Sequence, residues 1–285
     1  MAKNRDGLIF LCLGPFLFLA ACATGQETKA LPAGKAADAD LALPSGPEAE
    51  NGRDTSVFGR VIGAIGFGSK EEGDEKVAAA EMDAICAGDA RYTATFNAAW
   101  SRETHPLNFP MGAHFSPPVA VAHGRDSGFW AYGNTASPGV AIMARTGKTD
   151  TLRNEIEALT GRGLAAEVAI GNGFQSPGSG SIEVTATPDF PYLTYATMIA
   201  PSPDWFVGVE AISLCGSSDW VETITIDLFA LDAGSDDGVT FRTEDVDSDP
   251  KQPISLLSEM PQGLVRVYGR TSYGKLVVSR IDAAP

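Results

Sequence analysis

Three aspartates stand in turn-forming sequence and could together hold a hard cation. Asp204 lies in Pro-Ser-Pro-Asp-Trp (201–205), and Asp232 and Asp236 lie in Leu-Asp-Ala-Gly-Ser-Asp-Asp-Gly (231–238). Between them Val221 to Leu231 alternates β-branched and polar residues, so two acidic turns are joined through strands. Carboxylates gathered on loops at one end of a sheet repel one another unless a cation sits between them, and Ca²⁺ accepts such irregular oxygen sets. Aspartate is also common at strand ends because its side chain bonds the local backbone. The residues alone leave both readings open.

Other chemistry-bearing residues carry less. His105, His114 and His123 recur every nine residues, a spacing that is not a helical ligand pair, and no cysteine or Glu-His cluster accompanies them. They read as hydrogen-bonding histidines within turns. Ser116 and Ser202 each sit beside prolines without a Gly-x-Ser-x-Gly elbow or a visible base and orienter. Gly171-Asn-Gly173 and Gly178-Ser-Gly180 lack a following helix and read as connections, not as a phosphate cradle. Asp245-Val-Asp-Ser-Asp249 lacks the glycine and closing glutamate of a calcium loop and reads as a solvated turn. Trp100, Trp130, Trp205 and Trp220 read as core, with Trp205 anchoring the turn of Asp204.

The elements that must position these residues are overwhelmingly β. Tyr92 to Phe96, Ala166 to Ile170, Ile182 to Thr187, Tyr192 to Ile199, Phe206 to Leu214, Val221 to Leu231, Val239 to Arg242, Leu264 to Tyr268 and Leu276 to Ile281 have strand composition, punctuated by Gly and Pro. Pro138 to Arg145 and Thr149 to Leu159 read as two short helices, the second with Leu152, Ile156 and Leu159 on one face. The expectation is one mainly β domain, an antiparallel β-sandwich with a short helical insert.

Several motifs in order strengthen this. Ala90-Arg-Tyr-Thr-Ala-Thr-Phe96 with Trp100, Thr104-His-Pro106, Asn108-Phe-Pro110, Ala113-His-Phe-Ser-Pro117, His123, Phe129-Trp130, Gly139-Val140 and Leu152 to Leu159 precede the two acidic turns. Together they resemble the N-terminal spondin domain family over roughly residues 86 to 260. The resemblance implies a sandwich similar to calcium- and lipid-binding modules. It also implies a Ca²⁺ site formed by Asp204, Asp232 and Asp236. Glu183, in the matching Glu-Val pair, would join them, although two extra residues separate it from Asp204. Cys86 and Cys215 match a family cysteine pair, which implies a disulfide between them.

The N-terminus reads as a targeting segment. Lys3 and Arg5 precede an apolar run from Leu8 to Ala20, about 13 residues against the ~20 needed to span a bilayer. Leu19-Ala-Ala-Cys22 then resembles a bacterial lipobox, in which the chain is cut before Cys22 and that cysteine is lipidated. Residues 1–21 are thus expected to be a lipoprotein signal peptide. Residues 22–69, poor in aromatics over most of their length, form a flexible tether, and 70–285 the folded domain. The first 33 or so tether residues would span roughly 30 Å. Phe58 to Gly68 interrupts the tether with an apolar, glycine-rich patch, and Lys70 to Ile85 has helical spacing. Cys12 would leave with the signal, placing Cys86 and Cys215 in a disulfide-permissive compartment.

Formal net charge is −15, and loss of Lys3, Arg5 and Asp6 with the signal would leave it near −16. Such a surface disfavours nucleic acid and anionic membrane as bulk partners, so membrane association is expected through the lipid anchor. The expectation is a non-enzymatic, lipid-anchored, calcium-binding adhesion or recognition module of a bacterial envelope, exported, with the outer membrane favoured. Its ligand would be a cell-surface glycan, glycolipid or protein. A calcium-dependent envelope enzyme acting on polysaccharide or lipid, and a purely structural lipoprotein, are the alternatives.

Overall fold

A computed structural model describes residues 86–260 and 264–281. The expected signal peptide, Cys22, the tether, the 58–68 patch and the 70–85 helix lie outside the described residues. The strands are β1 (Ala90–Ala98), β2 (His114–Phe115), β3 (Val119–His123), β4 (Ala169–Ile170), β5 (Phe174–Gln175), β6 (Gly178–Ala186), β7 (Tyr192–Ala200), β8 (Trp205–Ser213), β9 (Thr223–Leu228), β10 (Leu231–Asp232), β11 (Ser255–Leu256) and β12 (Gly274–Arg280). Among the described residues three α-helices accompany them: α1 (Pro138–Thr146), α2 (Asp150–Thr160) and α3 (Leu264–Tyr268).

Two antiparallel sheets pack face to face. The first runs β6-β1-β12-β9 and the second β11-β10-β8-β7-β2-β5, with β3 and β4 attached beside β7. Alternation decides which residues enter the space between them. On β1, Tyr92, Ala94 and Phe96 face inward. Ile182, Val184, Leu276 and Val278 join them from the same sheet and meet Leu193, Tyr195, Val207 and Val209 from the other. Each fully buried aliphatic side chain of this kind stabilises the fold by roughly 1.5–3 kcal/mol relative to exposure.

The helical insert covers the outer face of the second sheet. Val140 and Met143 of α1 and Leu152 and Ile156 of α2 pack on Val119, Val121, Ala196, Met198 and Phe206. β7 is therefore buried on both faces, which explains why its sequence is almost continuously apolar rather than alternating. β2 and β3 both pair with β7 and are separated by Pro117 and Pro118, which lack the N–H a continuous strand would use.

Both insert helices fall where periodicity placed them. Ser137 caps α1, accepting the Val140 amide at 3.2 Å, and Pro138 begins the helix. Glu155 of α2 clamps this start: its Oε1 accepts the Gly139 amide at 2.7 Å and its Oε2 accepts the Ser137 hydroxyl at 2.6 Å. A Cβ on Gly139 would lie 2.6 Å from Leu152 Cα, so glycine is what lets the two helices approach. Gly147 ends α1 in the left-handed region at φ 71°, and its N–H bonds the Met143 carbonyl.

Three strand assignments are corrected. Residues 264–268, β-rich in composition, form the short helix α3 against the 3₁₀ turn Leu257–Glu259; a Cβ at Gly269 would collide with Ser258 N at 2.3 Å, so this packing is close. Residues 239–242 form a turn in which Thr243 Oγ1 accepts the Thr240 amide, while Phe241 is driven into an aromatic cluster with Trp100, Trp205 and Tyr268. Val221 to Leu231 is not one strand: β9 belongs to the first sheet and β10 to the second, with only Phe229 and Ala230 between them.

Cys86 and Cys215 form a disulfide, with Cα atoms 5.9 Å apart. It ties the entry of the described chain to the segment just after β8. Trp220 Nε1 donates to the Gly88 carbonyl at 3.1 Å beside it.

Candidate metal centre

The turn between β7 and β8 presents Asp204. Ser202 Oγ accepts the Trp205 amide at 3.1 Å, tightening Pro-Ser-Pro-Asp into a turn that points the Asp204 side chain inward. β10 pairs with the start of β8, Asp232 opposite Trp205, which brings the second acidic segment alongside the first. Gly234 follows at φ 68°, and a Cβ there would lie 2.1 Å from the Gln252 carbonyl, so only glycine passes. The bend returns Asp236 to the same place.

The three aspartates converge. Asp204 is fully buried, Asp232 is 4% exposed and Asp236 3%. Asp204 Oδ2 accepts three hydrogen bonds, from Ser235 N at 2.6 Å, Ser235 Oγ at 2.9 Å and Asp236 N at 3.0 Å. Its Oδ1 is buried with no hydrogen-bond partner. Asp232 Oδ1 accepts the Gly234 amide at 2.7 Å, and its Oδ2 accepts Trp205 Nε1–H at 3.2 Å. Asp236 Oδ1 accepts the Gly238 amide at 2.9 Å.

Burial pushes the Asp204 carboxyl above its ordinary range, against the opposing pull of the Ser235 and Asp236 hydrogen bonds. Burial pushes Asp232 up as well, and the neighbouring charge of Asp204 adds to it. Asp236 adds a smaller upward push on Asp204, so burial and neighbouring negative charge act in the same direction on both carboxyls, as they do where positive charge is lacking. The unpartnered Asp204 Oδ1 points to the same lack, since a buried charged oxygen left unmade costs free energy. The donors are hard oxygens, the type Ca²⁺ takes.

Asp236 differs. Its Oδ2 accepts the Val246 amide at 3.2 Å and lies 3.3 Å from a guanidinium nitrogen of Arg145, in the last turn of α1. Arg145 also binds Asp247 and lies 3.9 Å from Asp245. Among the described residues, no group of three or more His, Cys, Asp or Glu side chains is placed so as to hold a metal ion. Asp204 and Asp232 are thus the buried carboxylates without a basic side chain on them among the described residues, while Asp236 is engaged by Arg145.

Glu183 is not brought to this set. On β6, Ile182 and Val184 are buried, so Glu183 between them faces solvent on the first sheet. Its Oε2 pairs with Arg91 at 2.7 Å, with both side chains more than half exposed. Strand alternation, not the two-residue insertion, removes it from the aspartates.

Sequence reasoning missed Arg145 and the second role of the 245–249 turn. That turn folds over the site through Val246 N and Asp247, and Lys251 Nζ donates to the Ser235 carbonyl at 3.0 Å. The available signal was the single basic residue in the last turn of α1, where the helix dipole favours a cation.

The histidines sit apart and each is hydrogen-bonded. His105 Nε2 donates to the Thr271 carbonyl at 3.3 Å, and its ring packs on Tyr273 at 4.5 Å. His114 Nδ1 donates to the Gly112 carbonyl at 2.8 Å. His123 Nδ1 donates to the Gly124 carbonyl at 2.6 Å and its Nε2 accepts the Thr194 hydroxyl at 2.7 Å, which sets the neutral tautomer.

Comparison with known proteins follows the same segment. The Spondin_N family matches residues 90–264. The chain is 32% identical to Spondin-2 of Rattus norvegicus over 175 residues, which cover 58% of this chain and 52% of that protein. It is 31% identical to Spondin-2 of Homo sapiens over 184 residues, covering 61% and 54% respectively. It is 30% identical to Spondin-1 of Homo sapiens over 215 residues, covering 70% of this chain and 26% of that protein. The chain therefore spans about half the length of these Spondin-2 relatives and about a quarter of Spondin-1. No helix among the described residues is long and apolar enough to cross a membrane.

Proposed function

The chain belongs to the spondin N-terminal family, and from that premise we propose that it is a non-enzymatic, calcium-binding recognition module held at a bacterial envelope by lipid on Cys22. The observation that carries the calcium reading is the buried Asp204 Oδ1 without a hydrogen-bond partner, beside the nearly buried Asp232. Asp204 and Asp232 would hold the ion, with Asp236 as the third carboxylate; Glu183 is outside this set. The ion would supply positive charge to two carboxyls that burial and neighbouring carboxylates raise. It acts on the fold and not on a substrate.

Holding the ion would fix the turn of Asp204 to the loop 233–238, and through Asp236 and Arg145 to the 245–249 turn. The loops at that end of the sandwich would then present one rigid surface. Recognition of a cell-surface glycan, glycolipid or protein at that surface follows the adhesive reading of the family relationship. The lipobox Leu19-Ala-Ala-Cys22 supports the anchor.

The test is capture from envelope extracts by the chain from residue 70, in millimolar calcium and in EDTA. A ligand retained by the wild type in calcium, and lost both in EDTA and with Asp232→Asn, is the expected result. Equal retention in all three conditions would overturn calcium-dependent recognition.

A further inference from the structure

A second feature lies away from the acidic loops. β8 and β9 belong to different sheets, and the chain crosses from one sheet to the other at Phe229 and Ala230. β8 pairs with β10 only at Trp205 and Phe206; beyond these, its partner among the described residues is β7 alone. The fork opens a groove of about 890 Å³. Its lining includes Phe129, Trp130, Ile212, Ile224 and Ile226, together with the carboxylate of Glu210.

The groove is built, not merely exposed. Ala211 adopts φ 43°, and β7 and β8 slip register between Leu193 and Tyr195. This bulge re-aims the β8 edge, and the Ala211 amide is taken up by Thr194 Oγ1 at 3.0 Å. Glu210 Oε2 accepts the Tyr132 amide at 2.6 Å. Among the described residues no Lys, Arg or His pairs with Glu210, although the carboxylate is half-buried in an apolar setting. An occupant that fits would bring one cation flanked by apolar side chains, with little bulk near its backbone.

The sequence contains such a segment shortly before Cys86. Phe58-Gly-Arg-Val-Ile-Gly-Ala-Ile-Gly-Phe67 carries Arg60 as its single charge among Phe58, Val61, Ile62, Ile65 and Phe67. The described chain begins at Cys86, bonded to Cys215, two residues beyond the groove-lining Ser213. The residues between Phe67 and Cys86 can reach at most about 60 Å, far more than the distance from the end of β8 along its own strand. Tethering of this kind gives an effective concentration on the order of millimolar.

We propose that the groove between β8 and β9 is the docking site of the chain's own residues 58–67, with Arg60 paired to Glu210. The segment covers the open strand edge together with Ile212, Ile224 and Ile226. An uncovered apolar edge invites association with other chains. This inference is independent of the calcium reading.

Hydrogen exchange on the chain from residue 22, carrying Cys22→Ala to remove the anchor, tests it. Amides of residues 209–213 and 223–228 are expected to exchange about tenfold faster after Val61→Asp with Ile65→Asp, while β1 stays unchanged as a control for folding. A synthetic peptide of residues 57–68, added to that variant, should slow them again. Arg60→Glu should also speed exchange, and combining it with Glu210→Arg should restore protection; Glu210→Gln serves where the arginine variant fails to fold. Exchange indifferent to the segment substitutions overturns the proposal. Protection that rises with protein concentration, or appears only with phospholipid vesicles, also overturns it and assigns the groove to a second copy or a lipid surface.

Discussion

The guanidinium of Arg145 lies 3.3 Å from Asp236 Oδ2, joining the end of helix α1 to the acidic loop that holds Asp232. One positive side chain thus occupies the outer side of a carboxylate cluster whose inner side, at Asp204 Oδ1, lacks a partner. Removing it should separate its two effects. Arg145→Met is expected to lower stability in EDTA by at most about 1.5–3 kcal/mol, the range for losing hydrogen bonds to a charged group. It should also tighten calcium binding, because Asp236 Oδ2 is released and a like charge is gone. Urea denaturation and isothermal titration read the two. Unchanged calcium affinity would count against Asp236 as the third carboxylate.

Calcium should raise the melting temperature of the wild-type chain. At free calcium about 100 times the dissociation constant, binding to the folded state alone adds roughly 2.7 kcal/mol. Asp232→Asn should remove most of that rise. Asp237→Asn should leave it, because Asp237 is exposed and its Oδ1 accepts only the Ser248 hydroxyl at 2.6 Å. Magnesium should substitute poorly, since it demands a tighter octahedron. A melting temperature indifferent to both EDTA and millimolar calcium sinks the site.

The Cys86–Cys215 bridge closes a separation of 129 residues. The chain-entropy relation limits its stabilisation to about 5 kcal/mol. Cys86→Ser with Cys215→Ser should lower the urea midpoint and loosen Gly88 first, since Trp220 anchors that carbonyl beside the bridge. Tryptophan fluorescence and exchange at residues 87–92 follow this. Retention of the full wild-type midpoint would show that the bridge contributes nothing.

Burial lowers the pKa of His123, against the weaker opposing effects of its Gly124 hydrogen bond and of Asp126. The folded state therefore binds fewer protons than the unfolded chain below the ordinary histidine value of about 6.5. Stability should be full above that value and fall as pH drops from it through the lowered folded pKa. His105 is lowered by burial too and adds in the same direction. In His123→Gln the slope of unfolding free energy against pH between about 5 and 6.5 should flatten. A slope equal to the wild type's would remove His123 as its source.

Cys22→Ala should release the chain from the membrane fraction or leave it unprocessed. Two or more acyl chains anchor stably, whereas one is marginal. Mass spectrometry of the N-terminal peptide and fractionation decide it, and wild-type fractionation of a processed variant refutes the anchor.

What the sequence determined by itself is what depends on neighbours along the chain. Alternation placed β1, strand composition placed β7 and β8, the 3.6-residue period placed α1 and α2, and turn residues marked the acidic loops at 201–204 and 232–238. The order of motifs pointed to the family, and with it to the Cys86–Cys215 pair. What tertiary structure decided depends on partners distant in sequence. Residues 264–268 have strand composition, yet they coil because Gly269 must pack on Leu257 and Ser258. Val221 to Leu231 reads as one strand but serves two sheets, since Phe229 and Ala230 carry the chain between them. Glu183 has the right chemistry on the wrong face of β6, a consequence of the register that buries Ile182 and Val184. Arg145, 59 positions before Asp204, enters the acidic site only because α1 packs on the outer face of the second sheet. A local pattern can specify which residues are able to bind a cation, but burial and approach across sheets select which of them meet.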